Sequence, residues 1–218
     1  MLEDEDDEFV CGRAYGGSRV AVVSGARYNP VLDRVQGLAR DHAWPASLCA
    51  KYVKDCRKEG MDLEEYDRYE EVAVSNKAKA GEPMSSDGVI SPMHAAVSAH
   101  SSLPSLDHAP SAVALSGLWL GRLCRTASHE LGHCFGIDHC VYYSCAMQGS
   151  ASVVEDARQP PYLCPIDLAK ILRTTGADEQ GRDMSLLAFC EKNKEVHFFA
   201  SYKAWIYQKC KDYDRQLK

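Results

Sequence analysis

The chain has 218 residues, 45% hydrophobic and 26% charged, a balance that excludes collagen-like, coiled-coil and wholly disordered chains. The length suits one domain with an appended segment and is ample for a real core. Net charge is −6, but six of the 31 acids sit together at Glu3, Asp4, Glu5, Asp6, Asp7 and Glu8, and without them 25 acids face 25 bases.

That leaves a neutral body with no basic surplus to neutralise phosphates, so nucleic acid is not expected as a partner. Residues 1–8 read as a solvated, disordered acidic tip. The start carries no basic-then-apolar stretch of a secretory signal, and no apolar run approaches the ~20 residues that span a bilayer. An intracellular location, cytoplasmic or nuclear, with no membrane partner is expected. The ten cysteines are then expected as thiols or metal ligands, not disulfides. Cys11, Cys49, Cys56, Cys124, Cys190 and Cys210 read singly as small buried hydrophobes.

Residues 9–74 read as a sheet-and-helix part. Val20 to Val23 predict a short buried strand between glycines. Asn29-Pro30 reads as an N-cap followed by proline at the first helical position. Val31, Val35 and Leu38 extend that into a helix ending near Pro45, and Ala46 to Lys58 predict a second one. Residues 75–110, rich in Ser, Ala, Pro, Gly and His without a clear period, read as a flexible insertion. Its His94, His100 and His108 are taken as incidental.

Residues 111–218 hold the strongest signals. Leu115, Leu118, Leu123, Ala127, Leu131 and Phe135 recur at helical steps from Ser111 to Phe135, with Gly136 as the stop. Ser144 to Pro161 reads as a loop, Ile166 to Arg173 as a short helix ending near Gly176, and Ser185 to Arg215 as mostly helical. Phe198, Tyr202, Trp205, Ile206 and Tyr213 can share one face there, most simply against the body.

Within the long helix, His129-Glu130-Leu131-Gly132-His133-Cys134-Phe135-Gly136-Ile137-Asp138-His139 spells HExxHxxGxxH. His129 and His133 project from one face a turn apart and can reach one metal. Gly136 lets the chain leave the helix sharply and brings His139 round as a third ligand. Three protein ligands leave a fourth position for water, the mark of a catalytic zinc site. Glu130, beside them, is the general base for a zinc-activated water. The chemistry is metal-assisted hydrolysis of an amide, most naturally a peptide bond. Cys140, Cys145 and Cys164 follow at once, with Asp167 three after Cys164. Asp167 completes a second, structural zinc site, or another cysteine swings in, or the site is empty.

HExxHxxGxxH followed directly by Cys140, then by Cys145, Ala146, Met147, Gln148 and Gly149, resembles the archaemetzincins, a branch of the metzincin zinc peptidases. The resemblance covers His129 to about Leu172 and, more loosely, Phe9 to Tyr28. It implies an α+β, metzincin-like zincin fold: a mixed twisted sheet over an active-site helix, with a C-terminal zinc-stabilised helical subdomain. It implies His129, His133 and His139 on the catalytic zinc, Glu130 as general base and Met147 as the Met-turn methionine beneath the metal. Cys140, Cys145 and Cys164 would hold the structural zinc, which the family closes with a cysteine where this chain has Asp167. The family carries a strand-helix-strand unit before the region matching Phe9, where this chain has eight residues, so either the chain is a fragment, or its start is misassigned, or the sheet is reduced by its N-terminal part. The expected activity is a zinc-dependent peptidase of aminopeptidase type, acting as a monomer on a peptide or protein. The alternative is a non-catalytic zinc-binding interaction module; a zinc-ribbon nucleic-acid binder is disfavoured by the neutral body.

Overall fold

A computed structural model describes residues 11–15, 19–40, 43–46, 90–106 and 108–216. The acidic tip, the start of the Phe9–Tyr28 stretch and the helix expected at Ala46 to Lys58 lie wholly or mostly outside these residues. Two strands and six α-helices follow in order among them: β1 (Gly12–Ala14), β2 (Ala21–Val23), α1 (Pro92–Ser101), α2 (Ala112–Cys134), α3 (Val153–Arg158), α4 (Pro165–Thr175), α5 (Glu179–Lys192) and α6 (His197–Gln216). Mixed α and β content is as expected; the mixed sheet is not seen among the described residues, which pair only β1 and β2.

The two strands are antiparallel, with Gly12 opposite Val23, Arg13 opposite Val22 and Ala14 opposite Ala21. One face lies on α2. Val20 and Val22 are exposed, which corrects the buried strand. A four-residue apolar run looks buried by composition, but a two-stranded sheet on one helix covers only one of its faces.

Asn29 does cap, its Oδ1 accepting from the Val31 N–H at 3.1 Å, and Pro30 takes the first helical position. The helix, however, is a single 3₁₀ turn, Pro30–Leu32. Val31 and Val35 stay exposed while Leu38 is buried, so no apolar stripe sustains a longer helix.

The stretch read as an insertion holds α1 in its second half. Ser91 Oγ accepts from the His94 N–H at 3.2 Å, and Pro92 opens the helix. Ala96 and His100 are buried, and α1 lies along α6 in the most extensive helix pairing among the described residues. His100 meets His197 edge to face at 5.0 Å. The aperiodic reading failed because small residues let two helices approach without an apolar stripe. A second correction is α3, inside the expected loop; Ser152 caps it through the Glu155 N–H at 3.1 Å.

The C-terminal helical stretch is two helices. α5 begins at Glu179, earlier than expected, capped by Asp178, and Asn193 ends it before α6 starts. Tyr202 and Ile206 of α6 form a core with Trp44, Ala96, Cys190 and Phe199. Trp44 stands edge-on to Tyr162, Phe198 and Tyr202, and Tyr162 stacks on Trp205 at 4.4 Å. Phe198 and Trp205 pack at its margin; the Tyr213 side chain lies outside the described residues. No described helix is long and apolar enough to cross a membrane, and Cys11, Cys124, Cys134, Cys140, Cys145, Cys164 and Cys190 are free thiols.

Candidate metal centre

The helix that carries the motif is held in place by buried polar contacts. Ser111 caps α2 through the Ala114 N–H at 3.1 Å. Arg122 grips Asp33 with both guanidinium nitrogens, at 2.7 and 3.0 Å, and Arg40 adds a third bond to the same carboxylate at 2.7 Å. Arg125 pairs with Asp156 of α3. The Thr126 hydroxyl donates to the Tyr28 hydroxyl at 2.6 Å, and Trp119 Nε1 donates to the Gly25 carbonyl at 2.8 Å. Removing one partner of a buried pair of this kind strands a charge and costs about 3–5 kcal/mol. These anchors were not read from the sequence. The signal was there: Arg122, Thr126, His129 and His133 fall at helical spacing on one stripe, polar residues where a core stripe is apolar.

His129, His133 and His139 converge, each offering a ring nitrogen so that the three lie within 4.8 Å of one another. His129 Nδ1 donates to the Ala146 carbonyl and His133 Nδ1 to the Ile137 carbonyl, both at 2.7 Å. A carbonyl only accepts, so in the neutral rings each proton sits on Nδ1 and each Nε2 presents a lone pair. The two Nε2 atoms are 3.1 Å apart. Two lone pairs that close, with no proton between them, fit a cation. Burial lowers the His129 pKa to about 4, against the Ala146 hydrogen bond, and His133 adds to the effect; burial and His133 also lower that of His139. At neutral pH both of these rings are therefore in the ligating form.

Gly136, with φ +78°, ends α2 and turns the chain toward His139. Met147 is fully buried and lies against Gly132, where a Cβ would strike its sulfur. It packs on the same helix turn as the two histidines. Glu130 is also buried. It lies under β1, where a Cβ on Gly12 would fall 2.5 Å from its Oε1. Burial raises its carboxyl pKa; the His133 ring and a hydrogen bond from the Ala14 backbone N–H partly offset that. The contact of Glu130 with β1 is a feature sequence reasoning missed.

The second cluster brings Cys140, Cys145, Cys164 and Asp167 together, their ligand atoms within 4.8 Å of one another. Cys164 is the N-cap of α4 and accepts from the Asp167 N–H at 3.4 Å. Cys145 Sγ accepts from the Cys164 N–H at 3.2 Å and from the Met147 N–H at 3.5 Å. Backbone N–H groups aimed at sulfur, and a helix N-terminus beside it, favour the thiolate. Both thiols in turn donate to Asp167 Oδ2, at 3.6 Å from Cys145 and 3.4 Å from Cys164. Lys170 Nζ holds Asp167 Oδ1 at 3.0 Å. Burial raises the Asp167 pKa, but Lys170 and the thiol hydrogen bonds outweigh it and hold the carboxyl below its usual range. Burial pushes the Cys145 thiol up to about 12 and also raises Cys164. Three sulfurs and a carboxylate at these separations fit a closed tetrahedral zinc site. Of the groups the sequence offered, the fold brings Asp167 beside the three thiols. Lys170 behind it was not foreseen.

A cluster of three histidines, two of them on α2, beside a thiol–carboxylate cluster defines a candidate two-metal protein. Residues 109–173 match peptidase family M54. Archaemetzincin-2 of Homo sapiens is 44% identical over 112 residues, 42% of this chain and 31% of that protein; Archaemetzincin-2 of Pongo abelii is 34% identical over the same shares. The archaemetzincin of Aeropyrum pernix is 38% identical over 65 residues, 30% of this chain and 36% of that protein. The chain thus spans about a third of the length of these curated relatives. No solved structure gives a significant match. The similarity to the archaemetzincins and to peptidase family M54 covers less than half of the chain.

Proposed function

We propose that the chain is a zinc metallopeptidase that hydrolyses peptide bonds, with His129, His133 and His139 holding one zinc and Glu130 as general base. The observation that supports it most is the pair of Nε2 atoms 3.1 Å apart, each ring fixed by a carbonyl behind it. The three-histidine set supplies three ligands and leaves room for a fourth. When bound there, zinc supplies Lewis-acid chemistry, acidifying water toward pKa ≈ 7 and polarising a carbonyl.

The protein's own groups do the rest. The Ala146 and Ile137 carbonyls orient His129 and His133 and fix their tautomers. Met147 excludes water from beneath them. The Glu130 carboxylate, with its pKa raised by burial, takes a proton from the attacking water and returns it to the leaving amine. The Ala14 N–H keeps that carboxylate oriented. Cys140, Cys145, Cys164 and Asp167 would hold a second, structural zinc. A metzincin-like arrangement is part of this reading, supported by the helix that ends at Gly136 and the methionine packed under it. So is a monomer acting on peptides, without nucleic acid or membrane.

The test is zinc content beside cleavage of a broad peptide library, for wild type and Glu130→Gln. Zinc retained with cleavage abolished in the variant supports the enzyme. Zinc bound but no cleavage by wild type would turn the reading to a zinc-binding interaction module. Aminopeptidase-type action is tested on the same library with acetylated N-termini: cleavage restricted to free termini supports it, and equal cleavage sinks it.

A further inference from the structure

The two candidate metal clusters are joined by residues 139–147. His139 and Cys140 are consecutive, so ligands of different clusters share one peptide unit. The Cys140 N–H donates to the Met147 carbonyl at 2.7 Å, closing the segment on itself. Cys145 is followed by Ala146, whose carbonyl holds His129 Nδ1 at 2.7 Å. Next comes Met147, whose N–H bonds Cys145 Sγ at 3.5 Å and whose side chain packs against Gly132. Three features shape the histidine cluster from outside its helix: the place of His139, the carbonyl behind His129 and the methionine at Gly132. Each is set by a residue adjacent to, or hydrogen-bonded to, Cys140 or Cys145.

The other half of the thiol cluster comes from α4, through Cys164 and Asp167. A metal bound there would tie segment 139–147 to α4. Asp167 is the one hard donor among soft ones, so it holds a borderline-soft ion less firmly than a fourth thiolate would.

We propose that metal in the Cys140/Cys145/Cys164/Asp167 cluster sets the metal affinity of the histidine cluster through segment 139–147, and that Asp167 makes this governing cluster weaker than a four-cysteine one. The proposal rests on the reading that both clusters take zinc. Partners that orient a metal-bound histidine are worth about 10–100-fold in affinity, and coupling between two sites is reciprocal.

The experiment is a titration of the full chain with Co²⁺ and Zn²⁺ against a competing chelator. Co²⁺ on thiolates has charge-transfer absorption that Co²⁺ on histidines lacks, so the two clusters are read separately, and far-ultraviolet circular dichroism reports the helices. Asp167→Ala is expected to weaken the histidine cluster about 10–100-fold with its helices intact, and Asp167→Cys to tighten it. His133→Ala is expected to weaken the thiol cluster in turn, because the coupling is reciprocal. Histidine-cluster affinity unchanged in Asp167→Cys, where the thiol cluster binds more tightly, would overturn the coupling and leave the zinc reading standing. So would thiol-cluster affinity unchanged in His133→Ala, and both arms hold even where Asp167→Ala does not fold. Failure of the wild-type histidine cluster to take either metal would overturn the coupling and the proposed function together.

Discussion

The histidine cluster and the thiol–carboxylate cluster are neighbours in the chain but are built in opposite ways. Two of the three histidines ride on one helix a turn apart, and His139, the third, is exposed. Three of the four groups of the other cluster are buried, gathered from a loop and a helix N-terminus 22 residues apart at Cys145 and Asp167. The first is prearranged by a single element and open on one side. The second closes only once the chain has folded back on itself. An open site suits a reacting molecule and a closed one suits holding the fold. The difference also shows in their protons: His129 and His139 are shifted toward the neutral ring, while Cys145 and Cys164 are shifted toward the protonated thiol.

The largest separation of the two regions is expected from Glu130→Gln. Peptide cleavage should fall about 10²–10⁴-fold while zinc content stays as in wild type, measured by turnover and metal analysis on one preparation. A loss of zinc in that variant would break the division of roles.

Next is the anchoring of the histidine helix. Asp33→Ala strands Arg122, and should cost about 3–5 kcal/mol, seen as a lowered denaturant midpoint. The Arg122–Asp33 pair is almost fully buried, so little of this is screened. An unchanged midpoint would mean the helix is held by its apolar contacts alone. Gly132→Ala is expected to cost somewhat less, about 1–3 kcal/mol, because the added methyl meets the Met147 sulfur. Comparing its histidine-cluster and thiol-cluster affinities tells which region Met147 serves.

The proton difference gives a finer contrast. Both thiol pKa values are raised, so at pH 7 Cys145 and Cys164 are protonated without metal and must each lose a proton to ligate. Loading the thiol cluster should release at least two protons, whereas His129 and His139, their pKa values lowered, should release none. Calorimetry in buffers of different ionisation enthalpy measures both numbers. Smallest is Lys170→Ala. Its side chain is more than half exposed, so solvent screens the pair and the shift in thermal unfolding should be the smallest of the series.

Local features were legible from the chain. The helix from Ser111 to Phe135, its glycine stop and the His129/His133 pair follow from a 3.6-residue period and i,i+4 spacing, which a single element determines alone. The short helix at Ile166 to Arg173 and its end near Gly176 follow in the same way, and the structure starts it at Pro165 with Cys164 as cap. Spacing also marked Cys140, Cys145, Cys164 and Asp167 as a candidate second site, though not that Lys170 would hold Asp167 beside the thiols. The tertiary structure decided what each of these elements meets. Asp33 reaches Arg122 across 89 residues and Tyr28 reaches Thr126 across 98. β1 covers Glu130, the Ala146 carbonyl finds His129, and α1 finds α6 through Ala96 and His100. A window of sequence reports which face of an element is apolar. It does not report which distant polar group or small residue will satisfy that face, because those contacts form only when the loops between them close.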